Sequence, residues 1–461
     1  MRVTEDLIHK CHELEFRTLS DYDIDRTKYL LLDYLGVAAR GSLNESSRSV
    51  QNLVTQLDVT GSGAVVIGTD IRVGPSYAAL ANGVAAHALE LDDVVNEASL
   101  HPAAPIMSTA LAVSHLAGCS GKDLIEAVVT GYEVTVRLGI ALNPSAHYAH
   151  GFHPTGTCGA MGAAVTAAKL MKLDNESMLN AIGIAGSQAS GSMEFLAEGS
   201  YTKRFHPGWA AHSGIMAALL AREGFTGPGT IIEGKSGFLH SHSSHPDVSR
   251  VLQDWAHPYQ VMKTSIKPHA CCRYKQGPID CILKIMNRDG LKTSDITRIT
   301  VGVLRAGFPL VVEPEEAKCN PKNIVDAQFS MPFGAAVAAI FGKASVDEYT
   351  HENIRSPGVK RVMEKVHCVA DEKLEKEFPK KWPAFAEILT KRGKTYSARI
   401  VYPKGDPENP LTWQELIEKF SNLASPIYSE EKINQIIDAI STLEKERSLD
   451  RLGELLLRGG D

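Results

Sequence analysis

Several features that would place this 461-residue chain in a special class of protein are missing from its sequence. No apolar run approaches the roughly 20 residues that a membrane-spanning helix needs. The first ten residues include Glu5 and Asp6 and lack the apolar core of a secretory signal. Lys and Arg together number 48 against 54 Asp and Glu, so no excess of positive charge favours nucleic-acid binding. We therefore expect a cytoplasmic protein with neither a membrane nor a nucleic-acid partner.

Cysteines are few and scattered. The chain has 8 of them and no C-x-x-C pair, which argues against a zinc ribbon or a thioredoxin-type site. Without a secretory signal, they are best interpreted as reduced thiols. Hydrophobic residues make up 44% of the chain and charged residues 22%, as in ordinary globular proteins. The length predicts more than one domain.

Helical periodicity dominates the chain up to residue 262. Apolar residues recur at helical spacing within 4–40, and Pro75 opens an Ala-rich helix predicted over 77–91. Further helices are predicted over 106–117, 122–140, 159–173, 177–189 and 210–222. Their Ala and Gly content allows close helix packing. A short apolar run at 64–68 is either a strand or a turn.

The composition changes after residue 262. Segments 296–304 and 397–402 alternate and are β-branched, which predicts strands, whereas 327–341 and 359–376 have helical patterns. Amphipathic helices return at 413–420 and 430–444. We therefore predict a mainly α fold with a smaller α+β domain. The helical domain spans 1–262, the α+β domain 263–403, and C-terminal helices over 404–461 rejoin the helical domain.

A basic motif lies between Tyr201 and Trp209. Lys203, Arg204 and His206 precede a predicted helix, so we expect them near its N-terminus. Cations combined with the N–H donors of a helix N-terminus suit a carboxylate or phosphate ligand. The alternative is a solvated basic turn.

A second motif combines acids with a histidine. If the helix of 77–91 extends to about residue 96, Glu90 and Asp93 share one of its faces, and His87 lies there too. Asp92 is next to them and His101 follows shortly after. An acid cluster with a histidine can supply a general base and its orienting partner. The alternative is an acidic helix end with an incidental histidine.

Three histidines, His147, His150 and His153, recur at a spacing of three residues. Gly151 and Pro154 argue against one helical face, so a metal cluster is disfavoured. We expect a loop that leads into the next helix and places His153 beside that helix's N-terminus, where an anion could bind.

The last motif, Lys267 to Arg273, lies at the predicted domain junction, where ligand clefts are common. It adds two cations and the pair Cys271 and Cys272. Each cysteine is either a thiol acid or a small packing residue.

Taken together, segments 82–93 with His101, 151–155, 202–206 and 267–273 resemble the MmgE/PrpD family. The resemblance implies a helical domain built from both chain ends, an inserted α+β lid domain, a homodimer, and an active site between the domains that needs neither metal nor organic cofactor. It implies roles for Asp93 or its neighbours and for His101, His153, Lys203 and Lys267, the last four of which we expect to meet in one pocket. Together with the motifs above, it leads us to expect catalytic residues Asp93, His101, His153 and Lys203, and substrate-binding residues Asp92, His206, Lys267, Cys272 and Arg273.

Enzymes of this family move a proton at a carbon next to a carboxylate. Lysines would hold the carboxylates and absorb the developing charge, and histidines would transfer the proton. We expect a dehydratase-type lyase, a hydro-lyase, for a small di- or tricarboxylate such as 2-methylcitrate. Alternatives are an isomerase or epimerase, a cis-aconitate-type decarboxylase, a Schiff-base enzyme that uses Lys203 or Lys267, and a non-catalytic protein that binds anionic metabolites. Cys272 and Met331 stand where decarboxylases of the family have His and Tyr.

Overall fold

The computed structural model describes residues 2–256, 258–378 and 380–459. Met1, His257, Pro379, Gly460 and Asp461 fall within the predicted domains but lie outside the described residues. Up to residue 264 the helices and strands are α1 (Val3–Glu13), α2 (Asp21–Gly41), α3 (Glu45–Leu57), β1 (Ala64–Val65), β2 (Arg72–Val73), α4 (Pro75–His87), α5 (Ala103–Ala117), α6 (Gly121–Ala141), α7 (Pro144–Ala149), α8 (Pro154–Leu170), α9 (Asn175–Gly186), α10 (Thr202–Arg222) and α11 (Phe238–His242).

The rest of the chain contains the larger sheet. Its elements are α12 (Arg273–Asp289), β3 (Ile296–Gly302), α13 (Phe308–Val311), α14 (Glu315–Cys319), α15 (Ile324–Gln328), α16 (Met331–Phe341), α17 (His351–Arg355), α18 (Pro357–Met363), β4 (Val366–Val369), α19 (Glu372–Glu375), β5 (Ala384–Thr390), β6 (Thr395–Ile400), α20 (Trp413–Ala424), α21 (Glu430–Ser441) and α22 (Asp450–Leu455). The fold is mainly helical with a smaller α+β part, as predicted.

Local sequence signals start several of these helices. Ser20 before α2 and Ser120 before α6 each form a capping box, with Asp23 and Asp123 respectively. Each serine accepts a bond from the backbone N–H of its aspartate, whose carboxylate accepts one from the serine N–H. Two N–H groups that the helix leaves without an internal partner are thereby satisfied.

One compact unit comprises Met1–Ala88, Asp92–Thr264 and Thr412–Asp461. Helix α8 lies in its core, and nearly all of its residues are buried. A Cβ added at Gly162 of α8 would come within 1.9 Å of Thr135 Oγ1 on α6, and one added at Gly131 of α6 within 2.1 Å of Thr166 Oγ1 on α8. The glycines therefore let the two helices pack against each other closely, as the composition predicts.

The other compact unit comprises Leu89–Leu91 and Ser265–Leu411. Its sheet has the strand order β4-β3-β5-β6, with β3 parallel to β4 and antiparallel to β5. Ile299 of β3 is paired with Val366 on one side and Ile388 on the other. Helix α12 packs closely on the sheet, because a Cβ added at Gly277 would lie 2.8 Å from the Cβ of Ala384.

The helix predicted over 77–91 is shorter than expected. It begins at Pro75 and ends at His87, and Glu90 adopts the left-handed backbone conformation with a φ of 54°. Glu90 and Asp93 therefore do not share a helical face. The side chain of Asp92 turns back to bond the His87 ring, a tertiary contact that periodicity cannot reveal.

The segment 359–376, predicted as one charged helix, is divided into α18, β4 and α19. Its middle, with Val366 and Val369, forms an edge strand paired with β3. The inner strand β5 was not predicted at all, although its residues alternate between buried and exposed positions. The predicted strands at 296–304 and 397–402 correspond to β3 and β6.

Candidate active site

The end of α4 and the beginning of α10 meet at a pair of glycines. A Cβ added at Gly83 would lie 2.6 Å from the Cα of Gly208, and one added at Gly208 would lie 2.4 Å from the carbonyl oxygen of Leu80. The backbones of α4 and α10 are therefore in contact at these glycines, because neither has a side chain that would hold the helices apart. This crossing brings His87, the last residue of α4, toward Lys203 in the first turn of α10.

His87 forms a pair with Asp92. Its side chain is fully buried, and its Nδ1 lies 2.6 Å from Asp92 Oδ2. The same carboxylate oxygen lies 3.6 Å from Nδ1 of His101, a side chain that is 13% exposed. His101 Nδ1 also donates to the carbonyl oxygen of Asp93 at 2.5 Å. These bonds place the proton of each neutral ring on Nδ1 and leave Nε2 as the basic nitrogen.

The backbone of His101 is fixed by α8. Its N–H donates to Thr155 Oγ1 at 3.1 Å, and Thr155 lies in the first turn of that helix. His153 immediately precedes α8, which begins at Pro154 rather than at the predicted residue 159, and its own N–H donates to the carbonyl of Gly191 at 2.8 Å. One helix N-terminus therefore orients both histidines.

His153 and His206 form a second pair. Their Nδ1 atoms are 3.1 Å apart, so one nitrogen donates and the other accepts. The ring centroids of His153 and His206 are 5.3 Å apart, and those of His153 and His87 are 5.5 Å apart. His87 lies 5.1 Å from His101 by the same measure. Gly191 permits the approach, because a Cβ there would lie 3.3 Å from His206 Nδ1.

The second pair is held neutral. Burial lowers the pKa of His153 well below the ordinary value, and His87, Lys203, His206 and His101 lower it further by charge repulsion. Burial, followed by His87 and Lys203, lowers the pKa of His206 to about 4. Both rings are therefore uncharged near neutral pH and can accept a proton.

Asp93, predicted to be catalytic, is enclosed by structural partners. Its Oδ1 accepts the N–H of Ala103 at 3.0 Å, at the start of α5, and its Oδ2 accepts the hydroxyl of Tyr132 at 2.8 Å. Burial, together with the nearby charge of Asp92, raises the pKa of this carboxyl to about 8. His101 contacts the backbone of Asp93, and the carboxylate near the His101 ring belongs to Asp92.

The two adjacent cations of the basic motif diverge. Lys203 is 8% exposed and lies close enough to His153 and His206 to lower the pKa of both. Arg204 instead donates to Asn44 Oδ1 at 2.9 Å and lies over the ring of Tyr201. The helix begins at Thr202, earlier than predicted, and includes Pro207.

Three predicted substrate-binding residues belong to the unit that contains the sheet. Lys267 is 2% exposed and donates to the carbonyl of Glu90 at 3.3 Å. Arg273 donates to both carboxylate oxygens of Asp406, at 2.8 and 2.7 Å, and lies over the Trp382 ring. Cys272 precedes α12 and its N–H donates to the carbonyl of Gln328. That Lys267 joins the histidines in one pocket stays a prediction.

His147, the first histidine of the motif that ends at His153, has structural partners. His147 contacts the carbonyl of His242 through Nδ1 and Thr157 Oγ1 through Nε2. Over the described ranges, no group of three or more His, Cys, Asp or Glu side chains is arranged to hold a metal ion. None of the helices in the described part of the chain combines the length and apolar character needed to cross a bilayer.

Two members of the cluster were not predicted as site residues, His87 and Tyr132. The spacing of His87 and Asp92 in the sequence could have indicated the first, because a histidine at a helix end can bond a carboxylate just beyond it. Tyr132 gave no such signal, since it lies 39 positions from its partner Asp93.

The fold and this site define a class of mainly helical proteins in which buried histidine, lysine and carboxylate side chains cluster at helix ends. Residues 5–251 match the MmgE/PrpD N-terminal domain, and residues 269–445 match the MmgE/PrpD C-terminal domain. The chain belongs to the MmgE/PrpD family.

Similar curated proteins bear two kinds of name. A cis-aconitate decarboxylase-like protein of Aspergillus oryzae is 28% identical, over 98% of this chain and 97% of its own length. The human cis-aconitate decarboxylase is 27% identical, over 98% of this chain and 94% of its own. The mitochondrial 2-methylcitrate dehydratase of Yarrowia lipolytica is 22% identical, over 95% and 86%.

Proposed function

We propose that this protein is a lyase that moves a proton at the carbon next to a carboxylate of a small di- or tricarboxylate. The observation that carries the proposal is the clustering of His87, His101 and Lys203 around His153, from four separate stretches of the chain. Acid–base groups beside a fixed cation suit a reaction in which an anionic substrate becomes a carbanion.

The different surroundings of the two histidines suggest different roles. Burial keeps His153 neutral, so its unprotonated ring is available as the base. His101 has the Asp93 carbonyl and the Asp92 carboxylate at Nδ1, and both stabilise a protonated ring, so we assign His101 the role of the acid. Pairs of groups whose surroundings push their pKa values apart are typical of acid–base catalysis.

Lys203 would bind a substrate carboxylate and stabilise the charge that develops next to it. Its position in the first turn of α10 adds the positive end of the helix dipole. Lys267 is proposed to bind a further carboxylate. Arg273 is the weaker candidate, since its charge is already matched by Asp406.

Dehydration of a 2-methylcitrate-type hydroxy acid is the first candidate reaction. It needs a base for the α-proton and an acid for the departing hydroxyl, and the two histidines differ in that way. Decarboxylation of a cis-aconitate-type acid is the second candidate, because the relatives with 27–28% identity are named for it. Buried Met331 has no hydroxyl at the position where the resemblance gives such enzymes a tyrosine.

Proton NMR in D₂O with citrate-, methylcitrate- and aconitate-like acids tests the proposal. Dehydration gives a new vinyl or allylic signal, decarboxylation gives a product one carboxyl shorter with deuterium incorporated, and epimerisation gives deuterium without loss of water. Any of the first two outcomes supports a lyase. Ligand-induced thermal stabilisation with no change in any acid would contradict it and favour a binding protein.

We also propose that the active form is a homodimer that needs neither a metal nor an organic cofactor, as the family resemblance implies. Light scattering after size exclusion should give a mass near twice the 49.9 kDa of one chain. Turnover should survive prolonged treatment with EDTA followed by desalting. A monomeric active enzyme, or activity that returns only when a divalent metal is added back, would overturn the respective part.

A further inference from the structure

The His87 ring is buried in a way that packing alone does not explain. Its side chain has no exposed surface, and Nε2 has no hydrogen-bond partner among the described residues. Burying a ring nitrogen without a partner is unfavourable, and an apolar residue would avoid that cost. The role of a histidine at position 87 therefore depends on its other ring nitrogen, Nδ1, which donates to Asp92.

Asp92 is shared by two rings. Its Oδ2 is 2.6 Å from His87 Nδ1 and 3.6 Å from His101 Nδ1. The bond from His87 thus fixes where the carboxylate charge stands relative to His101. A carboxylate that orients a catalytic histidine from behind is a common device for setting its tautomer and stabilising its charged form.

We propose that His87 is a positioning residue, which holds the Asp92 carboxylate at the distance from His101 that makes His101 an effective acid. The inference rests on the proposed function and assigns Asp92 to the acid–base machinery rather than to substrate binding. The other titratable groups that bond these residues or act on them or on one another by their charge are Asp33, Asp93, Tyr132, His153, Lys203 and His206.

Three substitutions of His87 distinguish the roles of its two ring nitrogens. Asn at 87 can place an amide donor near the Nδ1 position and keeps the bond to Asp92. Gln places its amide near the Nε2 position and loses that bond, and Leu removes both nitrogens. His87→Asn should therefore keep kcat/KM within about threefold of the wild type, whereas His87→Gln and His87→Leu should lose about tenfold or more in kcat with little change in KM.

The proposal also predicts the direction of a change in the pH profile. Without the donor from His87, the Asp92 carboxylate is no longer held beside His101, and the protonated form of His101 loses stabilisation. The alkaline limb of kcat should therefore move to lower pH in His87→Gln and His87→Leu, and should stay in place in His87→Asn. A purely structural role would lower stability in all three variants without moving the limb.

Nitrogen-15 NMR of histidine-labelled ligand-free protein provides a readout that does not need turnover, with the His101 signals assigned by their loss in His101→Gln. We expect the His101 ring to titrate at lower pH in His87→Gln than in the wild type and in His87→Asn. Equal titration in all three, or an equal loss of kcat in folded His87→Asn and His87→Leu, would overturn the inference. If the wild type converts no acid of the panel, the proposed function fails while the NMR comparison still decides the role of His87.

Discussion

Gly83 of α4 and Gly208 of α10 are in backbone contact, since a Cβ at Gly83 would come within 2.6 Å of the Cα of Gly208. His87 is the last residue of α4, and Lys203 lies in the first turn of α10. The site thus depends on a crossing that contains no catalytic group.

Gly83→Ala should separate these helices. Overpacking of this kind costs about 1–3 kcal/mol, so the melting temperature should fall, and kcat should fall with it because the histidines and Lys203 move apart. Gly453→Ala in α22 is the matched control, since its Cβ would meet nothing closer than 4.0 Å. The control should be neutral or stabilising by up to about 1 kcal/mol. Equal stability of the two variants would contradict the close crossing.

Lys203→Met should lower kcat/KM by about 10²-fold or more, because the cation that binds a carboxylate and stabilises the developing charge is lost. It should also move the acidic limb of kcat/KM to higher pH, since Lys203 lowers the pKa of His153. The adjacent Arg204→Gln breaks the bonds to Asn44 and Ser46 and the contact with the Tyr201 ring, and should reduce stability while kcat/KM is kept. A similar loss of kcat/KM in Lys203→Met and Arg204→Gln would contradict the assignment of Lys203, and not Arg204, as the substrate-binding cation.

Asp93→Asn should change how stability depends on pH. The pKa of the buried carboxyl is raised from 3.8 to about 8, so its proton is held more tightly in the folded state. Its contribution to stability is complete below about pH 4 and is lost as the pH rises to about 8. The urea midpoint of Asp93→Asn relative to the wild type should therefore rise between pH 5 and pH 8. An unchanged difference would show that Asp93 does not titrate in this range.

Arg273→Met should be strongly destabilising, by about 3–5 kcal/mol, because it leaves the buried carboxylate of Asp406 without its cation. The double variant Arg273→Met, Asp406→Leu should recover most of that loss, since replacing both charges by apolar groups is often neutral. If the folded double variant also keeps the wild-type KM, Arg273 is structural. A large rise in KM would instead support the predicted contact with substrate.

The sequence predicted the helical architecture well because Ala-, Gly- and Leu-rich periodicity is a local signal. It also led to His101 and His153, which stand beside helix starts marked by Pro102 and Pro154, and to Lys203, although Pro207 lies inside α10 rather than at its start. The same signals did not predict the turn at Glu90, because the helical pattern of the sequence continues through it. The turn is accompanied by the bond between the side chains of His87 and Asp92, which periodicity does not reveal.

Long-range partners explain the other differences. Arg204 looked like a second ligand-binding cation, but Asn44 lies 160 positions away in the chain. The pairing of Asp93 with Tyr132 is similarly remote. Strand β5 alternates in burial, but its sequence AFAEILT does not alternate strictly between apolar and polar residues, so the pattern that indicates a half-buried strand is missing.

The assignment of His153 as the base and His101 as the acid is tested most directly by exchange of the substrate α-proton with solvent. His101→Gln and His153→Gln would each be incubated in D₂O with the acid that the wild type converts, and α-proton exchange and net product would be followed by NMR. If His153 is the base and His101 the acid, His101→Gln keeps exchange while product formation falls by about 10²-fold or more, and His153→Gln loses both. Undiminished exchange in His153→Gln would contradict the account.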